Sequence, residues 1–231
     1  MVYKKSNKSE ERKDEKRQLI FKSAAKVFAE NGFHEASVKN IAEEAKISVG
    51  TFYLYFKNKE EIFEKLYDEM AKIIESVNYY ALYKKGASVV EKFSRAITSS
   101  VWAYKKYNEL AKILLIDAVG LNPTFEIKYA QIMSNACSNM AKTLENLKQL
   151  GLISVPNVKI AAIAYEGAFN GIITYWLRAN DESDLYEYIF PTVVCELQAL
   201  KIDLGHEDIK KYIQEIIKEL DDNEEKFTEL L

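Results

Sequence analysis

Apolar positions recur along the chain at intervals of three and four residues, which is the spacing of amphipathic helices. No stretch alternates between apolar and polar residues for long enough to build a β-sheet. The expected helices cover about residues 10–31, 38–45, 49–55, 58–83, 87–104, 107–119, 123–150, 156–180, 183–202 and 207–227. We therefore expect an all-α fold of about ten helices, and the low content of helix breakers, 8 Gly and 3 Pro, agrees with it.

Local residues mark where several of these helices begin. Ser37 and Ser48 each precede an apolar helical pattern, and serine is a favoured N-cap. Asn122 is the expected N-cap of the helix that follows it. Pro123 and Pro156 fit the first turn of a helix, because the missing N–H group of proline is not needed there.

Two short helices, over about residues 38–45 and 49–55, have the spacing of a helix-turn-helix motif, whose second helix enters the major groove of DNA. The positions expected to pack inward against the first helix are Ile41, Ala45, Ile47, Val49, Phe52 and Phe56. The positions expected to face outward are Gly50, Thr51, Tyr53, Leu54 and Tyr55, flanked by Lys46, Lys57 and Lys59. This outer surface suits hydrogen bonds to phosphates and base edges, and the lysines add electrostatic attraction.

Helix starts at Ser37, Ser48 and Asn58 add a second way to hold a phosphate, since a helix N-terminus presents unpaired N–H groups. The plainer interpretation of each is N-capping, which holds in either case. For Tyr53 and Tyr55 the alternative to DNA contact is packing or simple exposure to solvent.

Charge divides unevenly along the chain. Residues 1–60 hold 13 Lys and Arg against 9 Asp and Glu, whereas residues 61–231 hold 19 against 26. A basic head on an acidic body suggests that the head meets a polyanion, although a split of this size also arises by chance. The N-terminus shows no apolar leader, no apolar run is long enough for a membrane, and the two cysteines lack metal-like spacing. We therefore expect a cytoplasmic protein that does not bind a membrane.

The head is similar to the DNA-binding domain of TetR-family regulators. The resemblance covers about residues 16–62 without a gap and is carried by three stretches, Phe28–Phe33, Ser37–Ala42 and Ile47–Glu60. It implies a homodimeric, all-helical repressor that binds an operator in double-stranded DNA. The positions that match the family's DNA-contacting residues are Ser37, Ser48, Gly50, Thr51, Tyr53 and Tyr55, with Lys59 matching a phosphate-contacting lysine.

One residue departs from the family pattern. Lys46 stands in the turn where the family usually has glycine, so we expect a left-handed backbone there at a cost of about 1 kcal/mol. The lysine also adds a positive charge near the DNA backbone. We expect residues 1–58 to form a three-helix DNA-binding head and residues 59–231 a larger helical-bundle domain for effector binding and dimerisation.

The body does not match the family by motif, but it is rich in aromatic residues. Such residues at helical spacing are more often ordinary core than a pocket wall. The resemblance implies an effector cavity among the middle helices, and a mostly apolar cavity favours a lipophilic or aromatic small molecule. The residues we expect to line it are Trp102, Tyr129, Met133, Phe169 and Asn170.

The eighth expected helix carries Gly167 and Gly171 one turn apart, with Thr174 nearby. Glycine within a helix costs about 1 kcal/mol relative to alanine, so two of them indicate a close helix approach. The resemblance implies that the eighth and ninth helices form a dimer interface. Close packing within the subunit is the alternative.

Two rival classes of function remain. An enzyme would need a constellation that the sequence lacks: His34 and His206 are far apart, and no metalloprotease, nucleophile-elbow or phosphate-loop motif is present. We therefore expect no catalytic residues, metal or cofactor. A helical ligand-binding protein that keeps the head without using it is the other rival, and the sequence does not separate a repressor from an activator.

Overall fold

The computed structural model describes residues 7–82, 84, 86–179, 183–205 and 208–228, with side chains from Arg12 onward. These residues form helices and connecting turns and contain no strand, as the spacing of apolar positions predicts. The α-helices are α1 (Asn7–Glu35), α2 (Val38–Glu44), α3 (Val49–Phe52), α4 (Lys59–Leu82), α5 (Val89–Lys106), α6 (Asn108–Lys112), α7 (Pro123–Gln149), α8 (Val158–Ala179), α9 (Ile189–Ala199) and α10 (Ile209–Asp221). None of the described helices is long and apolar enough to cross a membrane.

The head consists of α1, α2 and α3 around a small apolar core. Ile41, Phe52 and Phe56 are fully buried, as expected from the spacing of apolar residues. Val49 was expected to face inward, but its side chain is 40% exposed. The reason is that α3 makes only one turn, so its first residue lies at the edge of the core and not within it.

The body is built on α5, whose sides contact α4, α9 and α10. The helix α10 is amphipathic, and its apolar residues Ile209, Ile213, Ile216 and Leu220 are buried against the bundle. Its polar face is also tied to α5, since buried Arg95 donates from both terminal nitrogens to the carboxylate of Glu219. The tail therefore packs as a tenth helix, as predicted from its apolar stripe.

Several helix ends differ from the prediction. Pro156 lies before α8 and not in its first turn; Asn157 caps the helix instead, accepting a hydrogen bond from the Ile160 amide at 3.0 Å. The sixth expected helix is divided into α6 and a π-helix over Ile113–Asp117. The ninth begins as a 3-10 turn over Leu185–Tyr188. The expected helix ends at Tyr83 and Asn180, the expected start at Glu207, and His206 lie outside the described residues.

Candidate nucleic-acid interface and ligand cavity

Both predicted N-caps of the helix-turn-helix are formed. Ser37 Oγ accepts a hydrogen bond from the Asn40 amide at 3.2 Å, and Asn40 Oδ1 accepts one from the Ser37 amide at 3.0 Å, so the cap is reciprocal. Ser48 Oγ accepts from the Thr51 amide at 3.1 Å and shares a 2.8 Å hydrogen bond with the Thr51 hydroxyl. Both serine caps lie at the surface, where each helix start also faces solvent.

The outer face of α3 and the turn after it is exposed and mostly uncharged. The Tyr53 side chain is 55% exposed and Leu54 is 81% exposed, whereas Tyr55 is half-buried against the head core. Gly50 is exposed, and a Cβ atom added there would meet only Ser48 Oγ, at 3.8 Å. The fold of the subunit therefore does not require glycine at position 50.

The turn between α2 and α3 has the predicted left-handed residue. Lys46 has a φ of 53°, and its amide and that of Ile47 donate to the Glu43 and Ala42 carbonyls at 3.1 and 2.9 Å. These two bonds close the end of α2 in a Schellman motif. Because its backbone is held in this way, the exposed Lys46 side chain extends from the turn, and Lys57 is exposed at the other end of α3.

Lys59 is placed differently from the prediction. Its ammonium group donates to the backbone carbonyls of Phe33 at 2.8 Å and Ala36 at 2.9 Å, with a longer bond to His34 at 3.3 Å. The Nζ atom also lies 4.5 Å from the centroid of the Phe33 ring. An ammonium group has three donors, and here all three are used at the end of α1. The geometry thus gives Lys59 a structural role in joining α4 to α1, and its contact with phosphate stays a prediction.

A cavity of about 780 Å³ lies in the body between α4, α5, α7 and α8, with the π-helix at one end. Four of the five residues predicted to bind an effector line this cavity, namely Tyr129, Met133, Phe169 and Asn170, and their role in effector binding stays a prediction. Asn170 Nδ2 donates to the Glu166 carbonyl at 3.0 Å and lies 3.5 Å from Met133 Sδ, which joins α8 to α7 across the cavity wall.

The fifth residue, Trp102, does not line this cavity. Its ring is fully buried on the other side of α5, where Nε1 donates to Asp221 Oδ1 at 2.7 Å and the ring packs against Phe227. Ser100 and Tyr104 are the neighbours on α5 that do line the cavity. Residues two positions apart on a helix point in nearly opposite directions. Trp102 therefore lies on the side of α5 that packs against α10, and Ser100 and Tyr104 lie on the side that faces the cavity.

The prediction also missed polar residues of the cavity. Glu166 lines it from α8, one turn before Asn170, and burial raises the pKa of this carboxyl to about 7. Tyr104 and Tyr165 line it too, and burial raises the pKa of both hydroxyls. The spacing of Glu166 from Phe169 and Asn170 was visible in the sequence as one helix face, but a charged residue was not expected on it.

The outer face of α8 is open. Gly167 and Gly171 are exposed, and a Cβ atom added to either would meet nothing within 4 Å in the described part of the subunit. Ile160, Ile163 and Tyr175 on the same helix are 61%, 45% and 62% exposed, and Thr174 is half-buried. Close packing within the subunit therefore does not explain the two glycines.

The described side chains include no group of three or more His, Cys, Asp or Glu that could hold a metal ion. The two cysteines are free, Cys137 half-buried and Cys195 exposed. His34 is exposed at the end of α1, away from the cavity.

Comparison with known proteins agrees with the geometry of the head and extends to the body. The family described as bacterial regulatory proteins, tetR family, matches residues 20–66. The fatty acid metabolism regulator protein of Bacillus subtilis is 29% identical over 168 residues, 72% of this chain and 86% of that protein. The probable acrEF/envCD operon repressor of Escherichia coli K12 is 24% identical over 217 residues, 86% of this chain and 91% of that protein.

Solved structures share most of the architecture. The transcriptional regulator FadR from Bacillus subtilis, solved in complex with stearoyl-CoA, is 26% identical and superposes with a TM-score of 0.65, covering 78% of this chain and 97% of that chain. These relatives regulate transcription and are not described as enzymes. Together with the exposed α3 and its two capped helix starts, the family match over residues 20–66 identifies the head as a TetR-family DNA-binding domain.

Proposed function

We propose that this chain is a homodimeric repressor that binds a near-palindromic operator through α3 and leaves it when a lipophilic or aromatic small molecule occupies the cavity. In this proposal residues 1–58 act as the DNA-binding head and residues 59–231 as the effector-binding and dimerisation domain. The probable operon repressor among the relatives supports the choice of repression over activation.

The observation that carries the proposal is that one helix, α4, belongs to both units. Near its start, Phe63 packs against Phe28 and Phe33 of the head, with ring centroids 5.1 and 4.8 Å apart. Further along, Lys72 and Asn78 line the cavity. A ligand that moves the far part of α4 therefore also moves its attachment to the head. Coupling free energies between such sites are typically about 1–3 kcal/mol, enough to lower DNA occupancy several-fold to a hundredfold.

The exposed face of α3 supports a particular set of DNA contacts. Tyr53 and Thr51 carry hydroxyls for base edges or phosphates, and Gly50 lets a DNA strand approach the backbone closely. The N-termini capped by Ser37 and Ser48 hold phosphates with their free N–H groups, and Lys46 and Lys57 supply charge. Tyr55, half-buried, contributes its hydroxyl from the edge of the core.

The open glycine face of α8 supports the dimer. Gly167, Gly171 and Thr174 permit a second copy of α8 to approach the backbone of the first, with the exposed apolar residues of that face covered in the process. A two-fold axis through this face would hold the two α3 helices roughly 34–36 Å apart, one turn of DNA.

The apolar and aromatic lining of the cavity supports a lipophilic or aromatic effector. Tyr129, Met133, Phe169 and Asn170 are the proposed contacts. The relative solved with stearoyl-CoA makes long-chain acyl thioesters one class to screen, beside drugs and aromatic metabolites.

The test uses the purified chain and a fluorescent duplex from the DNA upstream of its own coding sequence. We expect specific binding by anisotropy, steep loss of affinity with added salt, and release by at least one member of a lipophilic library. Tyr53→Ala should lower operator affinity at least about tenfold with an unchanged melting temperature, and Tyr53→Phe separates the hydroxyl from the ring. Absence of specific binding, or affinity that ignores salt, would overturn the proposal.

A further inference from the structure

One charged residue of the cavity is set apart from the others. Four charged residues line it, and Lys72, Glu75 and Lys142 are exposed at its rim. Glu166 is the half-buried one, on α8. No described Lys, Arg or His lies within 4.0 Å of its carboxylate, and no described side chain or backbone group donates a hydrogen bond to it. A half-buried carboxylate without a donor from the protein is costly, so this group is available to a ligand.

Aromatic rings surround the same part of the cavity. Tyr104 and Tyr165 are 6% and 7% exposed, and their hydroxyls have no hydrogen-bond partner among the described residues. Phe169 lies beside Tyr104, with ring centroids 6.2 Å apart. Ring faces attract cations, and a carboxylate next to them adds a full negative charge. The combination favours an ammonium group and disfavours an anion.

A second buried carboxylate reinforces this preference. Glu196 of α9 is 6% exposed, and it too has no cationic partner among the described residues. Burial, together with the charge of Glu166, raises the pKa of Glu196 to about 7. Glu196 lies behind the cavity wall and not in its lining. Above about pH 7, where both carboxyls ionise, their two negative charges disfavour a ligand carboxylate beside Glu166.

We propose that the effector is a lipophilic amine, whose ammonium group pairs with Glu166 beside the rings of Tyr104 and Phe169 while its apolar part lies along α7. This inference rests on the proposed function for its biological meaning, but the binding itself is independent of DNA. The apolar part would contact Tyr129 and Met133. The acyl chain of a thioester and an ionised fatty acid carboxylate offer no donor to Glu166, whereas an ammonium group offers three donors and a positive charge, which is why an amine is the better match.

The experiment measures binding to the full chain by isothermal titration calorimetry with three probes of one shape: 4-phenylbutylamine, 4-phenylbutan-1-ol and 4-phenylbutanoate. We expect the amine to bind at least about tenfold tighter than the alcohol, and the carboxylate weakest. Glu166→Gln should lower amine affinity at least about tenfold and leave the alcohol within about twofold. The matched control is Glu145→Gln, an exposed α7 carboxylate outside the cavity lining, which should change nothing.

Affinity for the amine should also rise between pH 6 and pH 8, because the Glu166 carboxyl must ionise to form the pair. The titratable groups that face it are Tyr104 from α5, Cys137 from α7, Tyr165 from α8 and Glu196 from α9; burial raises the pKa of each. The phenols and the thiol therefore stay neutral over this range, and the carboxyls dominate the change. Glu166→Gln should flatten the profile.

Equal binding of the three probes, or amine affinity unaffected by Glu166→Gln, would overturn the inference. Thermal unfolding of both variants guards against a folding artefact, since glutamine mimics the neutral acid and should not destabilise the cavity. If DNA is bound and then released by neutral or anionic lipophiles alone, the amine inference fails while the proposed function stands. If amines bind but the chain binds no DNA specifically, the proposed function fails while the amine inference stands.

Discussion

Phe63 of α4 and Phe125 of α7 meet edge to face, with ring centroids 5.2 Å apart. Phe63 also touches Phe28 and Phe33 of the head, so one ring lies between the cavity wall and the DNA-binding unit. Beside this contact, Lys128 of α7 pairs with Glu64 and Asp68 of α4 at 2.9 and 2.8 Å. The wall helix α7 is therefore attached to α4 close to the point where α4 is attached to α1.

This arrangement predicts that Phe125→Leu uncouples the effector from the DNA. The smaller side chain should cost about 1–2 kcal/mol in the free energy of unfolding because it leaves space beside Phe63. Operator affinity without effector should be nearly unchanged, while the loss of affinity on adding effector should shrink several-fold. Anisotropy titrations with and without a saturating effector measure both quantities; a full effector response in this variant would refute the proposed route.

The position of Lys59 predicts that replacing it lowers the stability of the chain. Lys59→Met removes a charged donor from the carbonyls of Phe33 and Ala36, at a cost of about 1–3 kcal/mol in unfolding free energy. The control is Lys57→Met, since Lys57 is exposed and its side chain should act on DNA alone. Urea denaturation and operator titration of the two variants separate the roles. Equal stability of both proteins would contradict the structural role of Lys59.

The left-handed turn predicts that Lys46→Gly stabilises the chain. Glycine adopts a φ of 53° without strain, and the gain should be about 0.5–1 kcal/mol after allowing for the more flexible unfolded chain. The loss of the lysine charge should also weaken operator binding and reduce the salt slope by about 1.

Lys201 provides the matched control for this variant. It has a φ of 56° at the end of α9, and Ile202 donates to the Leu197 carbonyl at 2.9 Å in the same kind of helix end. Lys201→Gly should give a similar gain in melting temperature with no change in operator affinity. An equal loss of operator affinity in both variants would show that Lys46 does not contact DNA.

Buried carboxyls predict that stability falls as pH rises. Burial raises the pKa of Glu166 and of Glu196 from 4.5 to about 7, so between these values the folded chain holds more protons than the unfolded chain. Stability is then highest below about pH 4.5 for these two groups and declines up to about pH 7, by up to about 3 kcal/mol for each carboxyl. Asp117, raised to about 6 by burial, acts in the same direction.

Thermal unfolding from pH 5 to pH 8 measures this slope. The double variant Glu166→Gln and Glu196→Gln should flatten most of it and should be the more stable protein at pH 8. A wild-type chain whose melting temperature does not depend on the two carboxyls would show that they are better solvated than their burial indicates.

The exposed face of α8 predicts that a large side chain at Gly167 prevents dimerisation. Within the subunit, Gly167→Leu places its side chain in open space and replaces a poor helix former, so the subunit should keep or slightly gain stability. Across a close helix contact the same side chain would clash. Analytical ultracentrifugation should therefore find dimers for the wild type and monomers for the variant; dimers in both cases would move the interface elsewhere.

Sequence reasoning succeeded where the cause is local. The caps at Ser37, Ser48 and Asn122 depend on hydrogen bonds within three residues, and all three formed. It failed where the partner is distant. Trp102 donates a hydrogen bond to Asp221, 119 residues later in the chain. Lys59 donates to backbone carbonyls 23 to 26 residues earlier. The local spacing of apolar and polar residues does not predict contacts at such separations.

The cavity was predicted in part for the same reason. Tyr129 and Met133 share one face of α7, and Phe169 and Asn170 are neighbours on α8, so a pairing of two helices was enough to bring them together. The side of α5 that faces the cavity depends on where α10 packs. Contacts between residues far apart in the sequence determine that packing, so the sequence pattern of α5 alone does not predict it. The π-helix over Ile113–Asp117 likewise had no signal in the spacing of apolar residues.

The packing of α7 has a consequence for how the cavity opens. Of its 27 residues two are fully buried, Phe125 and Leu144, whereas α5 buries 13 of 18. Amide hydrogens of α7 should therefore exchange with solvent through frequent local opening, long before those of α5. The α7 side of the cavity is thus expected to be the least stable part of its wall, and a bound ligand should slow hydrogen exchange along α7.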